Sequence, residues 1–176
     1  MKKKLNKKKG ILFWITGLSG SGKTSIAKRI TPFIRKKFGP TIIVSGDEIR
    51  KIFNLDRYDR SSRLLYGLSF SKFAKFITDQ KINIVFNVIG MFNAVRNKNK
   101  SEIKNYVEIY IESELNEILK VGKKKIYKKV KKNIVGKDIK PELPKKPNII
   151  IKNNFKKDIS QISKELIKKI NKIVIK

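Results

Sequence analysis

Five short apolar runs recur along the chain, at Ile11–Ile15, Thr41–Val44, Ile82–Val88, Tyr106–Ile111 and Asn148–Ile151. Each is short and rich in β-branched residues, so each predicts a strand. Between them, apolar positions fall at helical spacing over Ser25–Phe38, Ser61–Thr78, Phe92–Lys104, Glu112–Lys132 and Ile159–Ile173. Strands that are almost continuously apolar are buried on both faces, and alternating helices supply the cover. The pattern therefore predicts a three-layer α/β fold, with a five-stranded, mainly parallel sheet and helices on both faces.

Proline and glycine mark the breaks. Pro40 separates the first helix from the second strand, and Pro32 predicts a bend or a division within that helix. Gly136–Pro147 holds three prolines and reads as a loop leading into the last strand. No repeat and no long linker divides the chain, so residues 1–10 read as a lysine-rich arm and 11–176 as one domain. The arm lacks the apolar core of a signal peptide and the arginine and serine content of a transit peptide. No apolar run approaches the roughly 20 residues that cross a bilayer. A soluble, cytoplasmic protein without membrane association is expected.

The densest chemistry lies where the first strand meets the first helix. Gly17-Leu18-Ser19-Gly20-Ser21-Gly22-Lys23-Thr24 fits the pattern GxxxxGK[ST] between a predicted strand and a predicted helix. In that order, successive backbone amides and a helix N-terminus can surround a polyphosphate. All eight residues are therefore candidate ligands of ATP or GTP, in a P-loop kinase-like fold. Lys23 is expected to neutralise phosphate oxygens as a catalytic residue, and the Thr24 hydroxyl to ligate Mg²⁺.

Composition narrows the chemistry further. The 176 residues include no cysteine and no histidine, which removes disulfides, thiolate chemistry and the commonest general base. Acid–base work falls to carboxylates, lysines, water or the substrate. The formal charge of +30 would ordinarily suggest nucleic acid. Here lysine greatly outnumbers arginine and is spread from Lys2 to Lys176. A basic nucleic-acid-binding protein is thus the disfavoured reading, and attraction of small anionic substrates the favoured one.

The second strand runs into Ser45-Gly46-Asp47-Glu48-Ile49-Arg50, and strand ends of a parallel sheet face the ligand crevice. Asp47 is a candidate catalytic carboxylate that orients an acceptor hydroxyl or metal-bound water, and Arg50 a candidate anion ligand. Ser45 or Asp47 could equally cap the helix that follows. Arg57 and Arg60 belong to the arginine minority, whose forked geometry suits phosphate or sulfate, although pairing with nearby aspartates is the alternative. A regulatory GTPase is disfavoured. Asn99-Lys100-Ser101-Glu102 ends in glutamate and lies in a helical pattern, and no Asp-x-x-Gly follows the third strand.

Taken together, Phe13–Thr24, Ser45–Arg50, Asp59-Arg60, Asp79–Val85, Tyr106–Tyr110, Ile126–Lys129 and Pro144–Pro147 resemble the adenylylsulfate kinase (APS kinase) family. The resemblance spans about Ile11 to Phe155. It implies Mg²⁺-dependent transfer of the ATP γ-phosphoryl group to the ribose 3'-hydroxyl of adenylylsulfate, in sulfate assimilation. It also implies that Asp47, Arg50 and Arg60 face the acceptor, together with Ile89 and Gly90 in the segment matching the family's Ile-Ser-Pro. A lid at about 113–140 is implied too, with Lys124, Lys125, Tyr127 and Lys128 in its cationic part. A homodimer is left open.

The acceptor half departs from the family pattern. Ser45 replaces an aspartate, Gly90 a serine, and Leu55 and Ile134 the two phenylalanines that resemble an adenine sandwich. Arg63-Leu-Leu-Tyr66 stands in place of Asn-Ile-Arg-Arg, and Val121-Gly122 in place of an Arg-Asp pair. The Asp56-Arg57-Tyr58 and Met91-Phe92-Asn93-x-Val95-Arg96 segments resemble a branch of the family associated with surface polysaccharides. That likeness implies a second anionic nucleotide acceptor, cytidine diphosphoramidate, in capsule modification.

Overall fold

The computed structural model describes residues 8–121 and 132–173. Its strands are β1 (Leu12–Thr16), β2 (Thr41–Ser45), β3 (Asn83–Asn87), β4 (Tyr106–Glu112) and β5 (Ile149–Lys152). All pair in parallel in the order β2-β3-β1-β4-β5. The helices described are α1 (Lys23–Phe38), α2 (Gly46–Ile52), α3 (Arg60–Asp79), α4 (Asn93–Glu102), α5 (Leu115–Val121) and α6 (Ile159–Asn171).

Strand alternation sorts the core into two layers. Phe13, Ile15, Val85, Val107 and Ile109 turn to one face, where Ile26, Ile30 and Ile34 of α1 and Ile162 and Leu166 of α6 cover them. Leu12, Trp14, Ile84 and Phe86 turn to the other, beneath Phe70 and Ala74 of α3 and Val95 of α4. Both faces of the sheet are thus dry, as the apolar runs predict.

Pro32 does not divide α1, which runs unbroken through it. The residue is exposed, so the carbonyl one turn earlier that loses its donor can turn to water. The helical periodicity over Glu112–Lys132 resolves differently. Glu112 ends β4, Leu115–Val121 forms α5, and 122–131 lie outside the described residues. Of the lysine arm, Lys9 is tied down: its ammonium pairs with Asp79 at 2.9 Å, and its carbonyl accepts from Asn105 Nδ2 at 2.9 Å. Among the described residues no helix is long and apolar enough to cross a membrane.

The chain leaves β1 with neighbours β3 and β4 on opposite sides, so the connections diverge and open a crevice beyond the carboxyl end of β1. That is where Gly17–Gly22 lies.

Candidate active site

The loop after β1 is shaped by close backbone approach. A Cβ at Gly17 (φ +154°) would come within 2.5 Å of the Ile111 carbonyl oxygen, so no side chain fits there. Gly22 takes φ +89° as α1 begins. From the far edge of the sheet, Asn153 Nδ2 donates to the Ser21 carbonyl at 3.0 Å and holds the loop against β5. Lys23 opens α1 and is 8 % exposed, with its ammonium curled back onto the Leu18 carbonyl at 2.6 Å. The Ser21 hydroxyl is buried with no hydrogen-bond partner. The amides at the start of α1, a buried ammonium and an orphaned hydroxyl form a receptacle for a polyphosphate.

Thr24 donates its hydroxyl proton to Asn87 Oδ1 at 3.0 Å, while Asn87 Nδ2 donates to the Val44 carbonyl at 3.0 Å. With its proton so engaged, Thr24 Oγ1 can turn a lone pair to a cation. No group of three or more carboxylate, histidine or cysteine ligands exists among the described residues. These donors fit a Mg²⁺ ion that arrives on ATP and takes Thr24 as a protein ligand.

One cleft of about 300 Å³, lined on one side by the loop, holds Asp47, Arg50, Ile89 and Gly90 of the acceptor candidates. Asp47 stands in the first turn of α2 and is, among the described residues lining the cleft, its one carboxylate. Arg50, one turn on, lies between Tyr58 (4.1 Å to the ring centre) and Tyr66 (4.9 Å), and donates to the Arg57 carbonyl at 2.6 Å. Its Nε is buried without a hydrogen-bond partner. Arg63 of α3 enters the same cleft, donating from Nε to the Tyr58 carbonyl at 2.7 Å and from Nη2 to the Asn133 carbonyl at 3.0 Å. Burial, then the neighbouring Arg50 charge, pull its pKa below the ordinary guanidinium value. Two crowded guanidinium groups against one carboxylate favour an anionic ligand.

Ile89 and Gly90 lie on the wall behind these side chains. Thr16 Oγ1 donates to the Ile89 carbonyl at 2.6 Å. Gly90 takes φ +44°, and a Cβ there would meet Val88 Cγ2 at 2.6 Å and Trp14 Nε1 at 3.2 Å. That indole N–H is buried, lacks a hydrogen-bond partner and belongs to a residue of the cleft lining.

The remaining candidates lie elsewhere. The Arg57 side chain is 76 % exposed and outside the cleft, where the segment contributes a carbonyl to Arg50. Arg60 also lies outside it, with its guanidinium 5.1 Å from the centre of the Phe92 ring and paired with Glu142. Asp59 before it caps α3, accepting from Ser62 N at 2.9 Å, and this bonding with Ser61 and Ser62 holds its carboxyl far below the usual range. Lys124, Lys125, Tyr127 and Lys128 lie outside the described residues, whereas Val135, farther along the same segment, lines the cleft. Leu55 is half-buried against the edge of the core and Ile134 is buried, and neither lines the cleft. Arg63, Tyr58, Tyr66 and Asn87 are additions to the sequence-derived set. The scarcity of arginine that marks Arg57 and Arg60 marks Arg63 equally.

Residues 9–152 match the model of the family described as adenylylsulphate kinase. The chain is 35% identical over 163 residues to the cytidine diphosphoramidate kinase of Campylobacter jejuni, covering 90% of this chain and 95% of that one. It is 32% identical over 156 residues to the adenylyl-sulfate kinase of Clostridium acetobutylicum, covering 85% and 78%. In fold it is similar to the Mycobacterium tuberculosis APS kinase solved with AMPPNP and APS, with a TM-score of 0.81 at 22% identity over 93% of this chain and 98% of that one. A phosphate loop at the switch point, arginines across the cleft and a family match over most of the length agree. The chain belongs to the adenylylsulfate kinase family, ATP- and Mg²⁺-dependent kinases that act on nucleotides.

Proposed function

We propose that this kinase transfers the γ-phosphoryl group of ATP to a hydroxyl of an anionic nucleotide, with cytidine diphosphoramidate as the favoured acceptor and adenylylsulfate as the second reading. The observation that carries the reaction is the shared cleft, in which Lys23 and Thr24 stand on one side and Asp47, Arg50 and Arg63 on the other. Support for the cytidine acceptor comes from the 35% identity to a cytidine diphosphoramidate kinase over nearly both full lengths. The withdrawal of Leu55 and Ile134 from the cleft points the same way, since they occupy the positions implied for stacking an adenine. The family match favours adenylylsulfate.

In this reading the loop amides and the Lys23 ammonium hold the β- and γ-phosphates. Mg²⁺ supplies charge neutralisation on the transferring group when bound. Arg50 and Arg63 seat the acceptor's anion, and Asp47 accepts the hydrogen bond of its attacking hydroxyl and takes the proton. The new O–P bond forms as the bond between γ-phosphorus and the β–γ bridging oxygen breaks, leaving ADP. Alignment and charge provide most of the rate. A coupled ADP-release assay offering each acceptor in turn tests the assignment. Higher kcat/KM with cytidine diphosphoramidate supports it, preference for adenylylsulfate moves the enzyme to the second reading, and turnover with neither removes both.

A further inference from the structure

In the Met91-Phe92-Asn93-x-Val95-Arg96 segment only Phe92 lines the cleft, yet its polar groups are densely bonded. Arg96 is 3 % exposed, and its Nε faces Glu108, 1 % exposed on β4, at 3.2 Å. From that anchor its two remaining nitrogens reach outward. Nη1 donates to the Gly90 carbonyl at 3.4 Å, and Nη2 donates to Asn93 Oδ1 and, at 2.6 Å, to the Glu142 carbonyl.

Glu142 lies in the proline-rich loop, far from the segment in sequence, and meets it with its N–H, its carbonyl and one carboxylate oxygen. Its N–H donates to the Met91 carbonyl at 2.9 Å, its Oε2 accepts from Asn93 N at 2.7 Å, and its Oε1 accepts from Arg60. Arg60 in turn lies on the Phe92 ring. With Thr16 holding the Ile89 carbonyl, the carbonyls of Ile89, Gly90 and Met91 are all bonded. A buried ion pair is a poor route to bare stability, because apolar packing of the same volume does as well or better. What the forked guanidinium adds is direction, toward three backbone and side-chain acceptors at once.

We propose that Arg96 and Glu142 are positioning residues, a clamp that fixes the Ile89–Phe92 wall against which the acceptor nucleotide is seated. The inference rests on the reading of this cleft as the acceptor site. Neither side chain lines the cleft, so their effect passes through the wall. The donor loop touches this segment through Leu18 and Met91, but it has ties of its own, in Asn153 and in Lys23 itself.

The test uses the full chain with Glu142→Ala, whose side chain is partly exposed, and Arg96→Lys, which keeps a positive charge facing Glu108. Acceptor KM is expected to rise roughly tenfold in each, the loss of a charge-assisted hydrogen-bond set, while the calorimetric Kd for ATP stays within about twofold. Hydrogen exchange, which needs no acceptor, should quicken at residues 89–96 and stay unchanged at 12–24. Parallel loss of ATP and acceptor affinity would make the pair general structural glue and overturn the proposal. Unchanged exchange at 89–96 would also overturn it. If the wild-type protein binds ATP but phosphorylates neither nucleotide, the functional reading falls, and the exchange data alone decide the clamp.

Discussion

At the scale of single residues, charge placement decides the chemistry. Arg63 shows this most clearly, because it is half-buried near a second guanidinium and has its fork already shaped by two backbone carbonyls. Arg63→Lys keeps the charge and loses the fork. Its acceptor KM should rise by roughly tenfold or more in steady-state kinetics, with little change in the KM for ATP. An equal effect on both substrates would place Arg63 outside the acceptor site. The candidate donor loop was legible in the sequence because eight consecutive residues carry its pattern, and a contiguous loop needs no tertiary knowledge. The acceptor side was legible only in part. Arg50, Tyr58, Arg63 and Asn87 come from separate segments, and only the fold puts them in one cleft.

Among the elements, α6 shows how a helix that holds no site residue still supports the loop. Its N-terminus carries a capping box, with Asp158 accepting from Gln161 N at 2.8 Å and Gln161 Oε1 accepting from Asp158 N at 3.0 Å. Ile159 of the same turn lies where a Cβ on Gly22 would reach it, at 3.2 Å. Asp158→Ala should cost about 1 kcal/mol in urea unfolding while ATP binds nearly as before. No measurable loss of stability would mean that the cap contributes nothing.

The proline-rich loop carries a different dependence. Hydrogen bonding from Asn93 N, then from Arg60, holds the Glu142 carboxyl below its ordinary pKa of 4.5. A depressed carboxyl contributes stability above its unfolded pKa and loses it as pH falls through the folded value. Thermal unfolding of wild type and Glu142→Gln should therefore differ near neutrality and converge in acid below the ordinary carboxylate range. A gap that persists unchanged in strong acid would contradict the pairing. Periodicity located the core helices well, since α1, α3 and α6 each bury an apolar stripe. It misread the stretch after β4, where apolar residues continue the helical spacing although Glu112 ends the strand and α5 begins only at Leu115.

For the whole molecule, a single tryptophan links the sheet to the chemistry. Trp14 is buried on β1, packs 5.1 Å from the Phe86 ring, and presents its indole N–H beside Gly90 on the cleft wall. Its emission should shift when the acceptor binds, with or without ATP. A spectrum unmoved by saturating acceptor would argue that the nucleotide sits elsewhere. The three-layer architecture was readable from apolar runs alone, because a parallel sheet buried on both faces leaves continuous β-branched segments. Apolar runs do not choose between acceptors; the proposed choice rests on Leu55 and Ile134 lying outside the cleft and on arginines of separate segments meeting in it.

The most direct measurement is ADP release with MgATP and each nucleotide acceptor, run on wild type and on Lys23→Ala. Acceptor-dependent turnover by wild type, reduced by at least about a hundredfold in the variant, is expected of a phosphate loop that neutralises the transferring group. Turnover undiminished by loss of Lys23, or ADP release indifferent to every anionic nucleotide offered, would contradict a cleft that brings the two substrates together.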